Sequence, residues 1–169
     1  EAVAFMPRYL KYHRLKHTHT KQSIGGGGKK GGAKHLIETA DTIAHFKEGD
    51  RRTVTFAQGD TRDANAYYKK SSFPRVVTDI PYGVQHKGAG KGRVSMEALL
   101  GEALPVWYKV LKTGGAVVLS YNTHAQKRAR MMALFEEAGF SVCDGAPYDR
   151  FEHWVEQAVI RDLIVAMKG

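Results

Sequence analysis

The sequence predicts an α/β fold built around an open sheet. A β-branched run at residues 75–78 is followed by an apolar helical pattern from Ser95 and then by a second apolar strand at residues 116–120. Because a strand, a helix and a strand in this order form a parallel βαβ unit, we expect the two strands side by side. Two later strands, at residues 140–143 and 158–167, are expected to form the antiparallel pair that closes the sheet.

Two helices are predicted on either side of the second strand. The first begins at Ser95 and repeats apolar side chains at helical spacing as far as Trp107, with Pro105 as a candidate kink. The second runs from His124 through Ala138 and is stopped by Gly139.

Composition limits the class of protein. A chain of 169 residues is long enough for one domain with a sizeable core, and it lacks a run of about 18 apolar residues that could span a membrane. Cys143 is the only cysteine, so the sequence offers neither a disulfide framework nor a cysteine-based metal site. No signal peptide is recognisable. These features predict a cytoplasmic protein.

Positive charge is concentrated at the amino-terminal end. Residues 1–34 hold eight Lys or Arg side chains against Glu1, a net charge of +7 out of +9 for the whole chain. The other 135 residues carry 18 basic and 16 acidic side chains and are close to neutral. A basic arm on a neutral body favours a polyanionic partner, and we expect nucleic acid.

The basic arm is predicted to begin with a helix within residues 2–16. Pro7 would sit badly in the interior of that helix, so we expect Pro7 in its first turn. A cationic segment with interleaved aromatic rings follows, and this combination suits phosphate contacts and base stacking. Its residues are Tyr12, Arg14, Lys16, His17 and His19. A metal site at the histidines is the alternative, but no Asp, Glu or Cys lies close by in sequence.

The glycine-rich run at residues 25–32 lacks the spacing of a phosphate-binding loop, and we interpret it as a flexible basic linker. We therefore divide the chain into a basic helix and linker at residues 1–33 and a catalytic part at residues 34–169. Residues 34–40 and 51–57 alternate like strands that could pair as a hairpin, although the first could also be a helix.

The turn after residues 75–78 carries the strongest chemical signal. Asp79, Ile80, Pro81 and Tyr82 place a carboxylate, a backbone carbonyl and an aromatic face at the carboxyl end of a strand, where open α/β sheets bind ligands. A purine amino group is a poor nucleophile because its lone pair is delocalised into the ring. Two acceptors, the Asp79 carboxylate and the Ile80 carbonyl, could orient that amine toward an electrophilic methyl group. The alternative is a structural strand-to-loop junction.

This Asp-Ile-Pro-Tyr turn resembles the catalytic motif of S-adenosylmethionine-dependent methyltransferases that act on exocyclic amino groups of bases. The extended form, residues 77–84, is similar to the branch that includes tRNA guanine-N2 methyltransferases, although that branch usually has proline where this chain has Ile80. The resemblance implies a Rossmann-like class I sheet with helices on both faces. It also implies S-adenosylmethionine as cofactor, Asp79 and Ile80 as amine acceptors, and Tyr82 stacked on a base held by the turn that Pro81 stiffens.

Other cofactor and substrate contacts follow from the same resemblance. An acidic residue after the third strand accepts from the cofactor's adenine, and Asp60 matches it, with Thr61 beside it and Asp79 also near the cofactor. Asp60 or Thr61 could instead cap a helix through Lys70. The loop after the turn is a candidate substrate lid, although an ordinary surface loop could have the same sequence. Its candidate substrate-binding residues are Gly83, His86, Lys87, Lys91 and Arg93. In the basic arm, Arg14 and Lys16 are expected to bind phosphates.

The Leu-Lys-Thr-Gly-Gly run at residues 111–115 resembles the entry to the fifth strand of these enzymes. The glycine-rich loop after the first strand and the ribose-binding acid after the second are not recognisable. We therefore expect an incomplete amino end, completed by a missing segment or a second chain. The predicted function is methyl transfer to an exocyclic amine of an RNA base, guanine N2 in tRNA. Adenine-N6 methylation of DNA or rRNA and a noncatalytic RNA-binding role are the alternatives.

Overall fold

The computed structural model describes residues 2–24, 32–80, 95–156 and 159–169, without the side chain of Glu156. The chain forms two compact units, Glu1–Asp60 and Thr61–Gly169.

The first unit contains a three-stranded antiparallel sheet with two helices. Its elements, in chain order, are α1 (Ala2–Tyr12), β1 (His17–Ile24), β2 (Gly32–Thr39), α2 (Ile43–Glu48) and β3 (Arg52–Gln58). The strand order is β1-β2-β3. The strands predicted at residues 34–40 and 51–57 are confirmed as β2 and β3, and they pair in antiparallel register, so the helical alternative for the first is wrong.

Two boundaries predicted for this part of the chain differ from the structure. Helix α1 begins at Ala2 rather than at Pro7, and it tolerates the proline inside at the cost of the hydrogen bond that the Val3 carbonyl would accept. The compositional division at residues 33 and 34 falls inside β2, whose residues Gly32 and Ala33 pair with β1. Of the predicted linker at residues 25–32, all but Gly32 lies outside the described residues.

A small apolar core holds the first unit together. Leu10 of α1, Ile37 of β2 and Phe46 of α2 are buried. Arg51 covers the Phe46 ring, with its guanidinium carbon 4.2 Å from the ring centroid, and its Nε donates to the Phe46 carbonyl at 2.9 Å. The Arg51 guanidinium therefore covers the edge of the apolar core, and it stays in contact with water.

The second unit is a mixed α/β structure. After a 3₁₀ turn at Thr61–Asp63, its elements are α3 (Ala64–Tyr67), β4 (Phe73–Asp79), α4 (Met96–Val110), β5 (Leu111–Asn122), α5 (Arg128–Glu137), β6 (Phe140–Val142), β7 (His153–Glu156) and β8 (Val159–Lys168). Ser95 caps α4 by accepting from the Ala98 amide at 3.1 Å, as the helix-start signal predicted.

Strand order confirms the predicted Rossmann-like α/β sheet. The order is β4-β5-β8-β6, with β7 paired to β8. Strands β4 and β5 are parallel, and β8 runs antiparallel to both β5 and β6. The result is a mixed sheet with a parallel pair of strands at one side. It places the ends of β4 and β5 at one edge, where ligands bind in open α/β sheets.

One face of this sheet forms the core with α4 and α5. Helix α4 contributes Leu100 and Leu104, and the strands contribute Leu119 and Ile164, all at most 1% exposed. The alternate face is less covered, since the Val77 side chain of β4 is 75% exposed. The expectation of a buried strand at residues 75–78 was therefore wrong for this face, because a β-branched run does not reveal whether both faces are covered.

The predicted helices are shorter than their sequence patterns. The helix expected from His124 begins only at Arg128, because the Asn122 carbonyl first accepts from the amides of Ala125 and Gln126 in a turn. The helix expected through Lys70 ends at Tyr67. Within the described ranges, no helix is both long enough and apolar enough to cross a membrane.

Candidate active site

Asp79 is the last residue of β4 and stands at the carboxyl end of the parallel strand pair. It lies opposite Ser120 of β5 in the register of the two strands. Its side chain is 54% exposed, so the carboxylate does not turn into the apolar core. Parallel strands in register direct paired side chains to the same face, and Asp79 and Ser120 therefore belong to the less covered face of the sheet.

Arg161 of β8 reaches Asp79 across β5. Its Nη2 lies 3.6 Å from the Asp79 Oδ2, and the Arg161 side chain is 30% exposed. Arg161 pairs with Asn122 at the end of β5, two residues beyond Ser120. The ion pair therefore spans the middle strand, and it biases the direction of the carboxylate although solvent limits its strength.

Ile80 fixes the main chain where it leaves the sheet. Its amide donates to the Ser120 carbonyl at 3.0 Å, and its side chain is only 7% exposed. A buried side chain and a backbone hydrogen bond thus hold the residue directly after Asp79. The structure brings Asp79, Ile80 and Ser120 together at one corner, and Arg161 completes the group.

Ser120 is a residue of this corner that the sequence reasoning did not select. Its Oγ is buried, and none of the described residues hydrogen-bonds it. A buried hydroxyl without a hydrogen-bond partner costs free energy. The signal that could have revealed it is register: Ser120 ends the apolar run of the strand that pairs with β4.

A hydrogen-bonded network next to this corner fixes the ends of β5 and β8. The Tyr121 hydroxyl donates to Asp162 Oδ2 at 2.9 Å, and Arg128 Nη1 donates to the same oxygen at 2.8 Å. Burial and the hydrogen bond to Asp162 raise the pKa of Tyr121 well above its ordinary value. Asp162 is 3% exposed. The network is satisfied internally, and we assign it a structural role.

Thr61 has a structural contact in the second unit. Its Oγ1 accepts a hydrogen bond from Trp107 Nε1 of α4 at 2.8 Å. Helix α3 begins after Asp63, so neither Asp60 nor Thr61 is the residue directly before it. A hydroxyl that accepts one bond can still donate another, so the cofactor role predicted for Thr61 stays a prediction.

Asp60 ends the first unit and is exposed. The strand before it, β3, belongs to the three-stranded antiparallel sheet, whereas the resemblance implied a strand of the parallel sheet. The sequence could not distinguish these cases, because a short alternating run fits either kind of sheet. The adenine contact predicted for Asp60 stays a prediction.

The other predicted site residues fall into two groups. Arg14 and Lys16 lie in the first unit between α1 and β1, and both are exposed. The second group lies outside the described residues: Pro81, Tyr82, Gly83, His86, Lys87, Lys91 and Arg93.

Comparison with known proteins gives distant structural likenesses. No family model and no curated protein matches the chain. A protein of Thermus thermophilus, described as a candidate DNA modification methylase and solved with S-adenosyl-L-methionine, is 19% identical with a TM-score of 0.43; the match covers 65% of this chain and 53% of that one. A Bordetella parapertussis protein described as a possible exported protein is 17% identical with a TM-score of 0.41, covering 60% and 40%.

The chain spans only about half of the Thermus protein and 40% of the Bordetella protein. The strand order of the second unit identifies the fold.

Proposed function

We propose that this chain carries the amine-orienting site of an S-adenosylmethionine-dependent methyltransferase that acts on an exocyclic amino group of an RNA base, guanine N2 in tRNA. The observation that carries the proposal is the corner at Asp79. An exposed carboxylate ends β4 beside the end of β5, and the next residue, Ile80, is anchored by a buried side chain and a bond to Ser120.

The corner supplies what an exocyclic amine needs in order to react. The Asp79 carboxylate and the Ile80 carbonyl would each accept one amino hydrogen, which directs the nitrogen lone pair along the line of attack. Both acceptors also stabilise the positive charge that develops on nitrogen as the new bond forms. Because the main chain at Ile80 is already fixed, little conformational entropy is lost when the amine binds.

The base must leave its stack to reach this corner. Unstacking costs a few kcal/mol, and an aromatic platform offsets part of that cost. We propose Tyr82 as that platform and Pro81 as the residue that holds the turn, as the resemblance implies. The loop residues Gly83, His86, Lys87, Lys91 and Arg93 would contact the RNA around the extruded base.

The cofactor would lie on the same side as the amine. S-adenosylmethionine, when bound, supplies the electrophilic methyl group. We propose that Asp79 lies between the amine and the cofactor, and that Asp60 and Thr61 contact the adenine of the cofactor. A glycine-rich loop for the rest of the cofactor would come from a further segment or a second chain.

RNA as the partner rests on charge and on the chemistry of the site. The basic residues of the first unit, including Arg14 and Lys16, favour a polyanion. The amine-orienting corner requires a base with an exocyclic amino group, which restricts the polyanion to a nucleic acid.

Two measurements test the proposal. Calorimetry of S-adenosylmethionine with the chain in its native assembly should show saturable binding, and its absence would favour a noncatalytic RNA-binding protein. Methyl transfer from labelled cofactor should then be compared on unmodified tRNA, rRNA and duplex DNA. Label in tRNA supports the proposal, whereas label only in DNA or only in rRNA adenine would overturn the substrate assignment.

A further inference from the structure

Helix α1 presents a row of aromatic rings to solvent. Phe5 is 63% exposed, Tyr9 44% and Tyr12 83%. Together with His13 these residues recur at intervals of three and four positions, so they share one face of the helix. We call the surface formed by Phe5, Tyr9, Tyr12 and His13 the aromatic ridge.

The rings of the ridge support one another. The centroids of Phe5 and Tyr9 are 5.8 Å apart, and those of Tyr9 and His13 are 4.3 Å apart. Tyr12 meets His13 edge-on at 5.0 Å. Neighbouring rings restrict the rotamers of each side chain, so the ridge keeps its ring faces available at reduced entropic cost.

The ridge is not needed for the core of its own unit. Leu10, on the opposite face of α1, is buried at 4% exposure, and Val3 and Met6 are partly buried. The solvent-exposed face of α1 therefore differs from that of an ordinary amphipathic helix, because it carries aromatic rings as well as polar side chains. Exposed aromatic side chains in a row mark an interaction surface.

The charge around the ridge selects the partner. Residues 2–24 contain five basic and no acidic side chains. Arg8 lies one turn before Tyr12 and is exposed, and Lys11 and Arg14 are exposed nearby. Aromatic rings with cations along their flanks are the combination with which proteins bind single-stranded nucleic acid, because bases stack on the rings while the cations follow the phosphates.

We propose that the aromatic ridge of α1 binds an unpaired segment of the RNA substrate by stacking its bases on Phe5, Tyr9 and Tyr12. This proposal deepens the proposed function, on which it rests for the choice of RNA. Residues four positions apart on a helix are about 6 Å apart along its axis. Successive bases in a duplex strand are about 3.4 Å apart and have their faces covered, so a regular duplex does not fit the ridge.

The test is binding of a labelled single-stranded RNA of about 12 nucleotides and mixed sequence, without cofactor, followed by fluorescence anisotropy. Y12A and F5A should each weaken binding roughly 5- to 100-fold, the loss expected for one stacked base. Y12F should bind like the unmodified chain because it keeps the ring. The matched control is I43A, which removes a 58% exposed apolar side chain from α2 of the same unit and should change nothing.

Salt dependence separates stacking from charge. R8A should reduce the slope of log affinity against log salt by about 0.7, the value for one phosphate contact on a single strand, whereas Y12A should leave the slope unchanged. Alanine is the best helix former, so α1 should persist in every variant, and circular dichroism checks this.

Three results would overturn the ridge as an RNA site: binding of Y12A and F5A equal to that of I43A, equal losses for Y12A and Y12F, or tighter binding of the matching duplex than of the single strand. A preference for DNA of the same sequence would also contradict it. Ridge-dependent RNA binding without methyl transfer would instead reject only the proposed function.

Discussion

At the scale of single residues, the Asp79 carboxylate, for which we propose the amine-orienting role, is paired with a cation from β8. Arg161 Nη2 lies 3.6 Å from Asp79 Oδ2, across the strand that carries Ser120. Such a partly exposed pair adds little to stability, but it limits the directions that the carboxylate can take. We therefore assign Arg161 a positioning role, since it would act on the amine only through Asp79.

Replacement of Arg161 should slow methyl transfer without weakening cofactor binding. R161M should lower kcat by about 10- to 100-fold, because a misdirected acceptor loses the alignment of the amine. R161K should recover part of the rate because it keeps the charge but not the planar guanidinium. Single-turnover transfer and calorimetry measure the two effects.

R75M provides the matched control for that experiment. Arg75 is an exposed arginine on β4, on the same face of the sheet as Asp79. Its loss should leave the rate unchanged. Equal rates for R161M and the unmodified chain would remove Arg161 from the site.

The sequence predicted Asp79 and Ile80 as amine acceptors, but it did not predict the ion pair that restrains the Asp79 carboxylate. Asp79 and Ile80 stand in a four-residue turn that is visible as a motif. Arg161 lies more than 80 residues later, and its contact depends on the exact register of β8 against β5. Ser120 was not predicted as a site residue for the same reason, because only strand pairing places it opposite Asp79.

At the scale of elements, Arg128 links the start of α5 to β8, beside the apolar packing of Met131, Leu134 and Phe135 in the core. Arg128 donates to Asp162 at 2.8 Å and to the Leu163 carbonyl at 3.0 Å, both on β8, and also to Asp144 and the Tyr148 carbonyl. Burial alone would lower the pKa of Arg128, but its hydrogen bonds to Asp162 and Asp144 raise it. The guanidinium therefore stays charged and compensates a carboxylate that is almost fully buried.

R128M should destabilise the chain by about 3 kcal/mol, because it leaves the buried Asp162 without its cation. R130A on the same helix is the control. Arg130 contacts Glu97 and Glu137 at the surface, and such exposed pairs contribute less than about 1 kcal/mol. Urea unfolding measures both variants. Similar losses for the two would show that the buried network around Asp162 contributes no more to stability than a surface ion pair.

A close approach between β4 and β5 depends on Gly115. A Cβ there would lie 2.7 Å from the Lys112 carbonyl oxygen and 2.9 Å from that of Pro74. Both neighbours are backbone atoms of strands that cannot move apart easily. The glycine therefore lets the chain bulge where the register of the two strands shifts between Phe73 and Arg75.

G115A should destabilise the chain by about 1 to 3 kcal/mol, as overpacking does. G101A in α4 should instead be neutral or stabilise by up to about 1 kcal/mol, because nothing lies within 4 Å of a Cβ there and alanine favours the helix. Thermal unfolding compares the two variants. A harmless G115A would contradict the role of Gly115 in the strand junction.

Strands were predictable where burial gives them an apolar pattern. Residues 116–120 of β5 and most of β8 were foreseen because apolar, β-branched residues recur there. Strand β1 was missed because His17–Ile24 is polar on both faces and forms only by pairing with β2. Strand β7 was missed for a similar reason: Trp154 is 69% exposed, and pairing with β8 alone defines the strand.

At the scale of the whole molecule, the chain combines an antiparallel unit with a mixed α/β unit that contains a Rossmann-like sheet. The second unit contains the corner at Asp79, for which we propose the amine-orienting role, and the first contains the basic amino-terminal segment and the aromatic ridge. The sequence indicated the difference between the two units through the distribution of charge along the chain. The predicted division at residues 33 and 34 follows the change of composition at the glycine run, whereas the antiparallel sheet continues to Gln58.

The central claim is that Asp79 directs an exocyclic amine toward the methyl group of the cofactor. The most direct measurement supplies labelled S-adenosylmethionine and unmodified tRNA to the chain in its native assembly and to its D79A variant, then identifies the labelled nucleoside after digestion. We expect N2-methylguanosine from the unmodified chain and a loss of at least about 100-fold in D79A. Label on a ring carbon or a ribose oxygen, or equal labelling by D79A, would contradict it.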